Sequence, residues 1–347
     1  MRGPRFVVWI MTAACNLSCR HCYTWRFRGL RELSLEEKLR LARELAELGV
    51  EHVNITGGEP TIHPHFPEVF RELVDGGVGV SLSTNATVLR RGVLEMLSRA
   101  GSYVYVSLDG PREVHEWLRG HGTFDRVMQG VRELRSWGIP FTVVMAVSRV
   151  NYRYPGRVME IASSVGAEEM AMIPVMPVGR ARETGVYVEP GQYLEAIRIA
   201  EAKAEELGYP LSLWCTPFAP LVTRSRYVRH SFCRSLDIAD IDPSGRLLLC
   251  DVTDVVVASV RDAGSFAEAW RRYVSSSVVN IVVSPSRLPE ACETCPLRNA
   301  CRGGCFARAL ALRGGLNAGD PLCPRIAGLL GAGAEKAFRN PSSPAPL

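Results

Sequence analysis

Three cysteines fall within eight residues, Cys15-Asn-Leu-Ser-Cys19-Arg-His-Cys22. Three thiolates at that C-x3-C-x2-C spacing can converge on one centre and leave a fourth coordination position free. The arrangement suits a zinc ion completed by His21 or a distant residue. It equally suits a four-iron–four-sulfur cluster with one iron open to a further ligand. Eight more cysteines follow, Cys215, Cys233, Cys250, Cys292, Cys295, Cys301, Cys305 and Cys323, and none lies between Tyr23 and Trp214. Cysteines used as small buried hydrophobes would be spread more evenly. The odd total of eleven argues against a disulfide framework, and 347 residues can bury a core without such staples. Metal binding in a reducing compartment is the remaining explanation.

The elements that must position these thiols follow from the apolar pattern. Short β-branched runs predict strands over Phe6–Thr12, His52–Thr56, Val78–Thr84, Tyr103–Asp109, Phe141–Val147 and Glu169–Val175. Helical patterns alternate with them over Leu35–Leu48, Phe66–Asp75, Val88–Arg99, Phe124–Trp137 and Pro155–Val165, and a last helix is expected over Gly191–Leu207. Ser34 with Glu37 three residues later reads as a capping box. Six βα units predict an α/β fold, a partial (β/α)6 barrel around a parallel sheet. The Cys15–Cys22 loop then stands at the carboxyl end of the first strand, where such barrels place their chemistry. Beyond about residue 210 the periodicity weakens and Cys, Gly and Pro dominate. The expected division is therefore a barrel over 1–209, a cysteine-rich domain over 210–330 and a flexible tail over 331–347.

A C-x3-C-x2-C loop after a first barrel strand resembles the radical S-adenosylmethionine (SAM) enzymes. That resemblance implies a 4Fe-4S cluster on Cys15, Cys19 and Cys22 whose open iron chelates SAM. It also implies reductive cleavage of SAM to a 5′-deoxyadenosyl radical that abstracts a substrate hydrogen. His21 takes the place before the third cysteine where the family often has an aromatic residue. Gly57-Gly58-Glu59-Pro60 after the second strand resembles the family's GGEP motif, which implies contacts to the SAM amino group. Ser83-Thr84-Asn85 and Ser107-Leu108-Asp109-Gly110 resemble segments near SAM, implicating Ser83, Asn85, Ser107 and Asp109. Within His115–Phe124, a stretch similar to one in peptide-modifying relatives, Arg119 could pair with a carboxylate or sit as a solvated helix charge.

The later cysteines resemble, one for one, the seven-cysteine SPASM domain, with Gly245 in its glycine position and Cys215 as an eighth thiol. By the pattern of relatives with two full clusters, Cys215, Cys233, Cys250 and Cys305 would bind one auxiliary 4Fe-4S cluster. Cys292, Cys295, Cys301 and Cys323 would bind a second. Two such clusters, relaying electrons, would account with the first for all eleven cysteines. Asp251, directly after Cys250, resembles a catalytic base of sulfatase-maturing relatives. An aspartate there can equally brace loop amides.

The net charge of +5, carried almost wholly by Arg (only Lys38, Lys203 and Lys336 are lysines), does not mark a nucleic-acid binder. No apolar run approaches the roughly 18 residues of a membrane span. The expectation is a cytoplasmic oxidoreductase or maturase acting on a peptide, a protein side chain or a small-molecule cofactor precursor. Its electron donor would be reduced ferredoxin or flavodoxin. Haem maturation by radical decarboxylation is an alternative, and a non-catalytic iron–sulfur or zinc protein another. Only five residues precede the first strand, so no fused peptide-recognition domain is expected there.

Overall fold

The computed structural model describes residues 3–330. The expected tail over 331–347 lies outside them. Six parallel strands form the barrel: β1 (Phe6–Thr12), β2 (His52–Gly57), β3 (Gly79–Thr84), β4 (Tyr103–Ser107), β5 (Phe141–Val147) and β6 (Glu169–Pro174). Between them run α1 (Leu35–Glu47), α2 (Phe66–Asp75), α3 (Arg91–Arg99), α4 (Arg112–Arg119), α5 (Thr123–Ser136) and α6 (Pro155–Ser164). Then come a five-residue helix, α7 (Arg180–Thr184), and α8 (Pro190–Leu207). All six predicted strands are present, within two residues of their predicted ends. The capping box forms as read, with Glu37 N–H donating to Ser34 Oγ at 3.2 Å and Ser34 N–H to Glu37 Oε2 at 2.7 Å.

Two features differ from the sequence reading. The eight-residue helix α4, between Pro111 and Gly120, is absent from the helical patterns read from the sequence, although Arg119 was read there as a possible helix charge. The sheet also extends beyond six strands. β7 (Leu211–Leu213) and β8 (Val228–His230) continue it past β6, all parallel. On the other side β9 (Ile238–Ile241) pairs parallel with β1, and β10 (Arg246–Leu248) and β11 (Val256–Ser259) follow antiparallel. The result is one eleven-stranded sheet in the order β11-β10-β9-β1-β2-β3-β4-β5-β6-β7-β8. Strands of three or four residues leave almost no alternation to read. The expected boundary near 210 thus falls just after α8, and the sheet runs on across it.

Successive residues of each strand point to opposite faces. Val7, Trp9, Val53, Ile55, Val80, Leu82, Val104, Val106 and Val143 join Phe66, Phe70 and Leu97 of the covering helices in one core. Each such side chain contributes about 1.5–3 kcal/mol on burial. The opposite face is polar instead: Asn54 Nδ2 donates to Ser81 Oγ at 2.9 Å, and Ser83 Oγ to Asn54 Oδ1 at 3.1 Å. Tyr103 and Tyr105 meet there at a tilt of 52°, their ring centroids 5.4 Å apart, and Tyr105 meets Trp214 edge-on at 5.1 Å. A closed barrel fills this space with branched aliphatic residues. Here that face carries polar and aromatic side chains instead, Asn54 and Ser81 buried and Ser83, Tyr103, Tyr105 and Trp214 partly so.

Candidate active site

The loop after β1 carries Cys15, Cys19 and Cys22, and two glycines allow its neighbour to press against it. A Cβ on Gly57 would stand 2.3 Å from Thr12 O, and one on Gly58 2.1 Å from Ala14 O. Gly57 also has φ +140, which L side chains rarely adopt. The backbone N–H groups of Gly58 and Glu59 donate to Thr12 O and Ala14 O at 2.8 and 2.9 Å. Thr24 Oγ1 contacts Cys22 Sγ at 3.2 Å and Gly57 O at 3.3 Å, tying the same two loops again.

Glu59 is wholly buried, and burial pushes its carboxyl above the ordinary value. Its Oε1 accepts from Thr61 Oγ1 at 2.7 Å and Thr84 Oγ1 at 2.8 Å, and its Oε2 from Asn85 N–H at 2.7 Å. Pro60 starts the short helical turn Pro60–Ile62 behind it. Asn85 Nδ2 donates to Asn16 Oδ1 at 3.0 Å and lies 3.9 Å from Cys15 Sγ. The GGEP loop, the end of β3 and the cysteine loop therefore form one unit. Ser83 turns instead to Asn54 on the polar face of the sheet.

Ser107 closes β4, and Asp109 two residues later is also wholly buried. Arg119 Nε reaches Asp109 Oδ2 at 2.5 Å, His21 Nε2 lies 3.4 Å from the same oxygen, and Ala146 N–H donates to Oδ1 at 2.9 Å. Burial raises the Asp109 carboxyl, but Arg119 and His21 outweigh it and hold it at about 2. Arg119 is thus a buried partner rather than a solvated charge. His21, next to Cys22, docks the cysteine loop on this pair, and burial drops its imidazole to about 4.

Burial and neighbouring charges set the thiols. Burial pushes Cys19 up to about 12, with Cys22 and Cys15 near enough to add to the rise and Arg119 opposing it. Cys215 is raised by burial and then by Cys305 and Cys233, and Cys250 by burial, Asp251, Asp240 and Cys305. Cys301, at about 12, is raised by burial and by Cys323, Cys292 and Cys295 among others. Cys292, Cys295, Cys301 and Cys323 line one cavity with Leu297 and Arg325. Between the two groups, Arg308 and Asp320 form a buried ion pair that also binds Cys215 O and Cys305 N–H.

Several participants carry no motif. Arg26 ties the first cysteine loop to the turn after Cys250, donating to Tyr23 O at 2.8 Å, Asp251 O at 2.5 Å, Thr253 O at 3.1 Å and Asp254 Oδ1 at 2.8 Å. Tyr23 hydrogen-bonds the Asp251 carboxylate, which lies 3.5 Å from Cys250 Sγ. Asp240 Oδ2 accepts from Asp251 N–H at 3.0 Å. Burial raises both carboxyls, and the Asp251 charge adds to the rise at Asp240. Gly179, at φ +54, brings α7 onto the first loop, since a Cβ there would meet Cys22 O at 2.7 Å. Spacing of residue types cannot signal such contacts, which join segments over a hundred residues apart.

An α/β barrel with three thiols in the loop after its first strand has the donor set of a metal ion or an iron–sulfur cluster. Residues 9–161 match the model of the Radical SAM superfamily. The chain is 28% identical over 342 residues to an AdoMet-dependent heme synthase of Methanosarcina barkeri, covering 92% of this chain and 96% of that one. It is 29% identical over 334 residues to a PqqA peptide cyclase of Rhodopseudomonas palustris, covering 92% and 86%. In fold it is similar to the solved structure of native anSMEcpe with bound AdoMet and Cp18Cys peptide, with TM-score 0.74, 17% identity and coverage of 93% and 94%. Over residues 9–161 the chain is thus similar to the radical SAM superfamily, and over nine-tenths of its length (92%) to the heme synthase and the peptide cyclase.

Proposed function

We propose that Cys15, Cys19 and Cys22 hold the 4Fe-4S cluster and that Gly57, Gly58, Glu59, Pro60, Ser83, Asn85, Ser107 and Asp109 shape the SAM site beside it. The donor set fits the group: three thiols of one loop, with Leu17 N–H 3.4 Å and Asn85 Nδ2 3.9 Å from Cys15 Sγ, supply sulfur ligands and amide donors to them. When bound, the cluster supplies the electron for reductive cleavage of SAM to methionine and a hydrogen-abstracting 5′-deoxyadenosyl radical. The chain's own part is positioning. Glu59 is held by Thr61 and Thr84 on one oxygen, while Oε2 accepts a single N–H and keeps capacity for an ammonium group. Asp109 and Arg119 neutralise each other and fix the β4 end. The polar and aromatic inner face, with Asn54, Ser83, Tyr105 and Trp214, would receive the substrate.

The same reading assigns 1–209 to the radical SAM part and 210–330 to a SPASM part. Cys215, Cys233, Cys250 and Cys305 would hold one auxiliary cluster, and Cys292, Cys295, Cys301 and Cys323 the other. The mutual electrostatic influence of the thiols within each set supports this division. Asp251, bonded to Tyr23 beside the first loop, would serve as the substrate base. The reaction is hydrogen abstraction from a peptide or protein side chain, or from a cofactor precursor. Haem formation by radical decarboxylation is the second reading, favoured by the 96% coverage of the heme synthase relative. Reduced ferredoxin or flavodoxin would supply the electron, in the cytoplasm. Among the described residues no helix is long and apolar enough to cross a membrane.

The observation that carries the proposal is the clasp of the Gly57–Glu59 loop on the Cys15–Cys22 loop. Its test is SAM cleavage under dithionite. The triple variant Cys15→Ala/Cys19→Ala/Cys22→Ala should form no 5′-deoxyadenosine while keeping about eight iron of about twelve, at four per cluster. Continued 5′-deoxyadenosine formation would overturn the assignment of the first cluster.

A further inference from the structure

The outer wall of the first cysteine loop is an exposed array of guanidinium and indole groups. Arg20, between Cys19 and Cys22, lies over the Trp117 ring at 4.3 Å, and its Nε donates to Trp117 O at 3.0 Å. Trp117 is 43% exposed. Arg28 and Arg180 both lie over the Trp25 ring, at 3.5 and 4.6 Å. Arg28 Nη2 reaches Leu17 O at 3.5 Å, and Arg180 donates to Ser18 O, so both rest on the stretch between Cys15 and Cys19. The stacked indoles hold the cationic heads in place at small entropic loss.

Charge sets this surface apart from its surroundings. Arg26 and Arg119, on the inner side of the same loop, are ion-paired to Asp254 and Asp109. Among the described residues no carboxylate lies within ion-pair distance of Arg20, Arg28 or Arg180. Three uncompensated cations thus stand over the backbone that carries the thiols, and Arg20 and Arg28 are exposed.

We propose that this face, Arg20, Arg28 and Arg180 with Trp25 and Trp117, is the docking surface for an acidic one-electron carrier protein. The inference rests on the radical SAM reading, in which each SAM cleavage consumes one electron that no group of the chain can regenerate. The carrier, a flavodoxin hydroquinone or a reduced ferredoxin, is oxidised by one electron. The centre held by Cys15, Cys19 and Cys22 is reduced by one, with no bond made or broken between the proteins. A cationic rim at the point of delivery steers an acidic carrier and speeds encounter in a salt-dependent way.

The test uses the reconstituted full chain and its Arg20→Glu/Arg28→Glu variant, with Arg20→Gln/Arg28→Gln as a milder second variant. Binding of oxidised flavodoxin, and in parallel of oxidised ferredoxin, is measured by calorimetry at low ionic strength. The carrier that binds the wild type should bind the Glu variant at least about tenfold more weakly and the Gln variant at intermediate strength. Raised salt should weaken wild-type binding. The KM for the reduced carrier in SAM cleavage should rise in parallel, while iron content and dithionite-driven cleavage stay at wild-type levels. Failure of both carriers to bind the wild type would overturn the proposal. So would binding within twofold of wild type in the Glu variant, which would move delivery to another face. Loss of dithionite-driven cleavage in both variants would also overturn it, by making these arginines props of the loop. Absence of dithionite-driven cleavage in the wild type would instead sink the radical SAM reading itself.

Discussion

Arg308 grips Asp320 through two parallel bonds, Nε to Oδ1 at 2.8 Å and Nη2 to Oδ2 at 2.6 Å, and both side chains are shut off from solvent. Asp320 also accepts the Cys305 and Leu322 N–H groups, and Arg308 donates to Cys215 O at 2.9 Å. One ion pair therefore holds three cysteine-bearing segments. Replacing one member strands a buried charge, at about 3–5 kcal/mol. Arg308→Met and Asp320→Leu should each lower the urea midpoint strongly under anaerobic conditions. The double variant should recover part of the loss, and strict additivity of the two would show that the pair does not act as a unit.

A second prediction follows from the clasp of the first two loops. Gly58→Ala places a methyl 2.1 Å from Ala14 O, so backbone must move. It should abolish SAM-dependent 5′-deoxyadenosine formation. Gly92→Ala, on an open face of α3, should leave cleavage unchanged and add up to about 1 kcal/mol of stability. Wild-type cleavage in Gly58→Ala would show that close approach is dispensable.

The barrel and the cysteine-rich part meet at Arg261, whose Nε and Nη2 each lie 2.8 Å from an oxygen of Glu37. The hydrogen bond from Arg261 holds the Glu37 carboxyl at about 2, below its ordinary 4.5. The folded value is depressed, so this stabilisation is present above pH 4.5 and is lost as pH falls towards 2. Glu37→Gln should lower the melting temperature at pH 7 by about 1–3 °C, the effect of a partly exposed pair. The gap should narrow between pH 4.5 and 2, and a gap constant over that range would disprove the linkage.

Removal of the second auxiliary set provides a fourth test. Cys292→Ala/Cys295→Ala should spare substrate-free SAM cleavage, because these thiols lie in a different segment from Glu59 and the first loop. Product formation should fail if that set relays electrons, and normal turnover would defeat the relay. Asp251→Asn should keep iron content while reducing turnover on the true substrate, and unchanged turnover would leave Asp251 as a loop brace.

Much of this was legible in the chain because it is local. The strand before Cys15 and the strand before Gly57 each announce themselves by β-branched runs, and Ser34 with Glu37 marks the start of α1. Motif and element then coincide at the carboxyl end of a strand. What escaped is long-range. Asp109 and Arg119 each stand out in the sequence, yet nothing in their spacing says that one takes the other, or that His21 joins them. Arg26 looks like any surface arginine until the turn at Asp251–Asp254 lies beside it, over two hundred residues later. Strands as short as Leu211–Leu213 form because a ready-made edge at β6 supplies their partners, which is information held by the sheet and not by the three residues.

The pairing of β9 with β1 has a consequence for biosynthesis. Phe6–Trp9 bond to His52–Ile55 on one side but to Ile238–Ile241 on the other. While the ribosome is still making the intervening residues, the first strand therefore presents a bare apolar edge, the kind of template that invites wrong partners. That edge closes only after about two-thirds of the polypeptide has emerged, and such distant contacts form slowly. The loop with the first three thiols hangs from this strand. Its surroundings are thus completed late in synthesis, after most of the barrel's helices have already formed.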